Sequence, residues 1–250
     1  MDPGFSFEKH LDIMYPKRLR RIVVRYPRRH VLARVMKHHE RWALANMPVH
    51  IELSPRKPIG YTSEECILAK PVSFRLCLTE WLPETLKMTK LDLIYSTEIH
   101  GRSLESFFQY CAKVKNTVVV FEALTGKTRS IIGMFATHAW SINPYPYGDS
   151  GCFLFRADPD AKCFKWLTDE GSIEDLENHA AREQFMVSRS DFIAMGANIN
   201  ATNGLRLDKD LIKGESHPAL GFNNEPLLGN NQRTFDVGHL EVYRLIRCVE

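Results

Sequence analysis

Between residues 90 and 250 the apolar positions fall into many short runs with turn residues between them. Leu91–Tyr95 reads as a strand. Ser103 is placed to cap a helix running through Lys113, in which Leu104, Phe107, Phe108 and Cys111 stand at i, i+3, i+4 and i+7. That spacing puts one stripe toward a core. Thr117–Phe121 and Ser130–Thr137 are apolar and β-branched, with Thr125-Gly126-Lys127 as the turn between them. They predict a buried antiparallel pair. Cys152–Ala157 and Lys162–Leu167 flank Asp158-Pro159-Asp160. A tight hairpin there sets Phe155 near Phe164 and Phe153 near Trp166. Phe185–Val187, Asp191–Met195 and Leu205–Asp208 are further short strands. A final strand carries Phe235, Val237, Val242 and Leu245. Many short strands with turn signals predict two packed sheets.

The first sixty residues read differently. Pro16 and Pro27 interrupt any helix early on, while Val31, Val35 and Trp42 share one face of a helix over His30–Asn46. Pro48, Pro55 and Pro58 make the next segment an extended linker. Ser172-Ile173-Glu174-Asp175 resembles a capping box inside an acidic stretch, Asp169–Glu183.

Charge sharpens this division. Residues 1–60 hold 13 Lys/Arg against 5 Asp/Glu, a net +8, whereas residues 61–250 hold 20 against 25, a net −5. The expected organisation is a basic arm over 1–60 and a mildly acidic domain over 61–250. Arg20, Arg21, Arg28 and Arg29 are the arm's candidate contacts to an acidic partner, since clustered arginines attract opposite charge. Nucleic acid is not favoured as that partner, because no recognisable binding module accompanies the charge. Docking of the arm on the acidic stretch is the intramolecular alternative. Asp2, Glu8 and Asp12 argue against mitochondrial targeting.

Candidate chemistry adds little. No apolar run approaches the ~20 residues of a membrane-spanning helix, and no apolar signal core opens the chain. The six cysteines, Cys66, Cys77, Cys111, Cys152, Cys163 and Cys248, form no C-x-x-C pair and no metal-binding spacing. They read as reduced thiols of a cytosolic or nuclear protein. Gly126-Lys127-Thr128 resembles the end of a phosphate-binding loop, but Phe121 stands where its first glycine belongs and the segment joins two strands. Gly148-Asp149-Ser150-Gly151 resembles a serine-protease nucleophile loop, with His138 or His100 as a nominal base and no oxyanion element. His38-His39-Glu40 and His179-x-x-x-Glu183 are not H-E-x-x-H motifs and read as solvated helix faces. No cofactor, metal or catalytic residue is expected.

One ordered set of motifs does carry a resemblance. Leu93-Ile94-Tyr95-Ser96-Thr97 precedes His100-Gly101-Arg102-Ser103-Leu104. Ile132–Thr137, Cys152-Phe153-Leu154-Phe155, Phe164-Lys165-Trp166, Gly196, Leu205–Asp208 and Gly214-Glu215-Ser216 follow in order. Gly221-Phe222-Asn223-Asn224-Glu225-Pro226 and Phe235–Tyr243 close the series. Together they are similar to the TLDc domain, the module of the eukaryotic oxidation-resistance proteins. The resemblance covers about Pro71 to Val249.

It implies an α+β, mainly β fold: a two-sheet antiparallel β-sandwich with flanking helices. It also implies a non-enzymatic role in oxidative-stress protection and binding to the peripheral sector of the vacuolar proton pump, the V-ATPase. His100, Gly101 and Ser103 would shape the first turn of such a domain. Asn223, Asn224 and Glu225 would shape the last turn, and Glu241 would sit on the final strand; together these residues would hold turns and present a surface. A cytoplasmic, vacuole- or lysosome-associated protein is then expected. A second class of function, a structural part of a ciliary or microtubule assembly anchored by the basic arm through tubulin or ciliary proteins, rests on the arm's charge. A redox enzyme is a third reading, disfavoured because peroxide chemistry needs an exposed, low-pKa thiol.

Overall fold

The computed structural model describes residues 22–26, 49–53, 58–166, 185–196, 202–228 and 232–247. The expected helix His30–Asn46, the four arm arginines Arg20, Arg21, Arg28 and Arg29, the acidic stretch Asp169–Glu183 with its capping box, and Cys248 lie outside them. So do the His38 and His179 motifs.

The chain divides into two compact units, Met1–Lys57 and Pro58–Glu250. In the first, β1 (Ile22–Tyr26) pairs in parallel with β2 (Val49–Leu53), Ile22 opposite Val49 and Tyr26 opposite Leu53. The segment after Pro48 is therefore a strand and not the expected linker. Its prolines flank Val49–Leu53 without entering it, so no ladder donor is lost.

The second unit is built on one long strand. After β3 (Gly60–Tyr61), α1 (Val72–Trp81), a 3-10 turn (Glu84–Leu86), β4 (Thr89–Ser96) and α2 (Leu104–Cys111) come the hairpin β5 (Thr117–Thr125) and β6 (Thr128–Ala136). Then follow β7 (Phe153–Asp158), β8 (Lys162–Lys165), β9 (Met186–Ser188), β10 (Phe192–Met195), β11 (Leu205–Asp208), β12 (Lys213–Glu215) and β13 (Thr234–Arg247). Along one edge β13 pairs with β5, from Asp236↔Leu124 to Arg244↔Thr117. Along the other it pairs first with β12 and then, from Glu241 onward, with β4. The path β8-β7-β6-β5-β13-β12-β11-β10-β9 is continuous, and it doubles back on itself. Ile132, Met134 and Leu154 of β6 and β7 share one buried cluster with Met195, Leu205 and Leu207 of β10 and β11. The fold is thus mainly antiparallel β, with two flanking helices among the described residues, as expected from the strand patterning.

The opposite face of β4–β7 is covered as well. Val118, Val120, Phe135, Phe153 and Phe155 pack with Phe74, Leu78 and Leu82 of α1 and its end, and with Ile59, Cys66, Leu68 and Ala69. A strand buried on both faces needs apolar residues at every position, which is why Thr117–Phe121 shows no alternation. On α2 the predicted stripe is real: Leu104, Phe107 and Cys111 are buried, and Phe108 is half-buried against the same cluster. Ser103 caps the helix, its hydroxyl accepting from Ser106 N at 3.1 Å.

β13 keeps its faces by shifting register. Between Val237 and Leu240 the ladder with β5 slips. Phe235 and Val237 before the slip, and Leu240 and Val242 after it, all reach the first cluster. Without the bulge, residues of odd and even number would face opposite ways.

One expected register is wrong. Phe155 lies opposite Cys163, Leu154 opposite Phe164 and Phe153 opposite Lys165. Phe164 thus shares Leu154's face, and Trp166 packs on Phe185 instead of Phe153. Five residues, not four, separate the last paired residues Arg156 and Lys162, and a one-residue slip exchanges the faces. Helix α1 carried no strong sequence signal: its N-terminal residue Pro71 offers no side-chain cap, and only Phe74 and Leu78 are buried.

Two outcomes test this architecture. A Cβ on Gly133 in β6 would lie 2.2 Å from Val119 O and 2.5 Å from the Phe155 ring. Gly133→Ala should therefore cost roughly 1–3 kcal/mol in urea unfolding, whereas Gly126→Asn in the open hairpin turn should cost far less. We also propose that the domain stands without the arm: a chain trimmed to Ile59–Glu250 should be monodisperse and melt cooperatively, and aggregation without a transition would make the arm part of the core.

Candidate functional site

The first half of β13 lies among apolar neighbours, but its middle carries His239, Glu241 and Tyr243 at i, i+2 and i+4. That spacing puts Glu241 and Tyr243 on one face where the strand is paired on both edges, with His239 just before them in the bulge. Glu241 is 0% exposed. Its carboxylate accepts from the backbone amides of Ile67 at 2.9 Å and Leu68 at 2.7 Å. The Tyr243 hydroxyl donates to the same carboxylate and accepts from Ala69 N at 3.2 Å. His239 Nε2 stands 3.1 Å from Glu241 Oε1, and His239 Nδ1 stands 3.5 Å from Glu98 Oε1. Neither ring nitrogen is aligned for a hydrogen bond, so these are ion pairs by proximity.

The electrostatics follow from the packing. Burial alone would raise the Glu241 pKa, but His239, Tyr243 and the two amides hold it below the usual carboxylate value. Burial alone would lower the His239 pKa; Glu241, Glu98 and Glu122 overcome it and raise it. The Tyr243 phenol is pushed up by burial and by the adjacent carboxylate. An anion fixed by three hydrogen-bond donors, with His239 beside it, is thus the tie between the 66–69 loop and the final strand.

The turn after β4 is built as tightly. His100 Nδ1 accepts from Ser96 N at 3.0 Å, and the ring stacks on Tyr95. Gly101, at φ +82°, offers its carbonyl to the Tyr95 hydroxyl at 2.6 Å. Arg102 donates to the carbonyls of Leu211, Val237 and Gly238, clamping this turn to the β13 bulge.

In the segment between β12 and β13, Asn223 takes a positive φ of 45°. The Asn224 side chain accepts from Ala219 N and donates to the carbonyls of His217 and Glu225. Glu225 accepts from Arg156 at 3.0 Å and Lys162 at 2.8 Å. Arg156 is itself only 2% exposed and also donates to Leu227 O and to Asp160.

His100, Gly101 and Ser103 therefore lie together in one turn, and Asn223, Asn224 and Glu225 in another. Asn224 and Glu241 are buried, so they do not form part of a presented surface; the polar atoms they carry are consumed by backbone donors and acceptors. His239, Tyr243, Arg102 and Arg156 went unpredicted. For the first two a signal existed, in the polar residues at i, i+2 and i+4 within an apolar strand.

The enzyme-like motifs lie in turns and loops. Gly126 turns the β5–β6 hairpin at φ +60°. In the Gly148–Gly151 loop, Asp149 Oδ1 accepts from Gly151 N, and His138 Nδ1 faces Thr137 at 3.1 Å and Asp149 at 3.6 Å. Desolvation raises the pKa of each described thiol: Cys66, Cys77, Cys111 and Cys152, and Cys163 to about 12. Such thiols stay protonated and react slowly with peroxide.

The family model for the TLDc domain matches residues 62–246. Nuclear receptor coactivator 7 of Mus musculus is 29% identical over 171 residues, 66% of this chain and 16% of that protein. The GTPase-activating protein skywalker of Drosophila melanogaster is 26% identical over 182 residues, 69% of this chain and 29% of that protein. The MTOR-associated protein MEAK7 of Gallus gallus is 30% identical over 156 residues, 62% of this chain and 31% of that protein. The chain thus matches less than a third of the length of each of these relatives.

Removing the Glu241 carboxylate leaves two amides, a phenol and an imidazole facing an apolar cavity. Glu241→Ala should lower unfolding stability by roughly 3–5 kcal/mol. Chemical denaturation would measure it, and a loss under 1 kcal/mol would show that the carboxylate is not the tie described.

Proposed function

Because the chain belongs to the TLDc domain family, we propose that it is a non-enzymatic binding module that engages the peripheral sector of the V-ATPase and acts in oxidative-stress protection. One observation carries the binding reading. The loop and the turn immobilised by the buried Glu241–His239 node each present an isoleucine outward: Ile67 is 47% exposed and Ile99 is 52% exposed. Apolar side chains on pre-ordered backbone bind with little loss of conformational entropy, which is how an anchor in an interface differs from a chance surface residue. The buried thiols and the consumed polar groups of the motif turns support a role without catalysis. The cytoplasmic side of a vacuolar or lysosomal membrane is the location this reading requires, and among the described residues no helix is long and apolar enough to cross a membrane.

A second reading draws on the charge of the arm. Thirteen basic residues within sixty positions suit an acidic lattice such as tubulin in a ciliary or cytoskeletal assembly. The two readings use different parts of the chain and can be separated.

The tagged 250-residue chain should capture peripheral-sector subunits of the pump from lysate. Ile67→Ser with Ile99→Ser should lose them with little change in melting temperature. Reversing Arg20, Arg21, Arg28 and Arg29 to Glu should leave that capture intact. If the reversal instead removes captured tubulin or ciliary proteins, and pump subunits never appear, the second reading replaces the first.

A further inference from the structure

His239 sits in the β13 bulge, where neither Gly238 nor His239 has a ladder partner on β5. Its side chain is 7% exposed, and both ring nitrogens are buried without a hydrogen bond. An imidazole in that state is poorly accommodated when neutral, because it keeps a buried donor and a buried acceptor unpaired. When charged it lies between two carboxylates on separate elements. Glu241, on its own strand, holds the 66–69 loop. Glu98, on the turn after β4, is 62% exposed and otherwise free to swing out.

Every neighbouring element contributes a charge to this balance. From β5, Glu122 accepts from His239 N at 3.1 Å through one oxygen and pairs with Arg129 of β6 through the other. From the 101–103 segment, Arg102 donates to Gly238 O beside the ring. Tyr243 on β13 donates to Glu241 and cannot take the imidazole's place.

We propose that His239 is a proton-operated latch: its charged ring draws Glu98 and Ile99 onto the β13 bulge, and loss of the proton lets those two residues go while His100, Gly101 and Arg102 keep their own hydrogen bonds and the strands beneath stay paired. The release is local because Thr97 remains tied to Leu240 by two hydrogen bonds, Thr97 N to Leu240 O and Leu240 N to Thr97 Oγ1, each 3.0 Å. What loosens is the segment that carries Ile99. The latch extends the binding reading by making one of its two apolar anchors ordered under acid conditions and mobile under alkaline ones, yet it can be tested with no partner present.

The sign follows from the direction of the shift. A histidine whose pKa is raised in the fold contributes fully below its ordinary value of 6.5 and loses that contribution as pH rises through the raised value. Amide exchange of the full chain, corrected for intrinsic rates, should therefore show protection at Glu98 and Ile99 falling about two- to fivefold between pH 6 and pH 9, the range of a partly exposed ion pair. Core amides of β5 should hold constant. In Glu98→Gln, which removes the turn's charge without touching the core, the turn should exchange at the faster rate at both pH values. His239→Gln should do the same if it folds. A turn whose protection is equal at pH 6 and pH 9 in the natural chain, or one that keeps its pH dependence in Glu98→Gln, would overturn the latch.

Discussion

A single buried carboxylate organises the middle of this domain. Glu241 lies on the strand that both halves of the sheet share, and it reaches out of that strand to hold two consecutive amides of a loop far away in sequence. Burying a charge costs several kcal/mol unless its lone pairs are filled, and here two backbone amides and a phenol fill them while an imidazole stands close by. Loop, strand and turn thus become mutually dependent. Cys66, Leu68 and Ala69 can serve as core residues only because the backbone that carries them is fixed this way.

The same economy governs the other polar groups of the motif turns. Asn224 closes its own loop with three hydrogen bonds, and Arg156 spends its guanidinium on Leu227 O, Asp160 and Glu225. Groups of the kinds that serve catalysis elsewhere are engaged in holding backbone. Ionisable residues spent this way fix the shape of the loops and turns that carry them.

Much of the sheet could be read from the sequence, and the reasons are specific. β5 and α2 announce themselves because complete burial and a one-sided stripe leave different patterns. The hairpin β7–β8 was legible as a hairpin but not in register, since loop length decides which residues meet and Asp158-Pro159-Asp160 does not reveal it. The Glu241 node was half legible: polar residues alternating inside an apolar strand mark it, but their partners are amides of Ile67 and Leu68, which no side-chain pattern encodes. Arg102 was invisible for the same reason, because all three of its acceptors are main-chain carbonyls. The strand Val49–Leu53 was hidden because prolines border linkers and strands alike, and five residues are too few to show a period.

The position of β13 has a consequence for synthesis. The last strand of the described chain is the central one, and β4, β5 and β12 all wait for it. A nascent chain that has emerged only as far as residue 233 has the other described strands of this unit but no centre to assemble them on. Its hairpins would leave edges open until Thr234 to Arg247 have followed, so the sheet closes only when this strand arrives, and the risk of aggregation is concentrated in that interval.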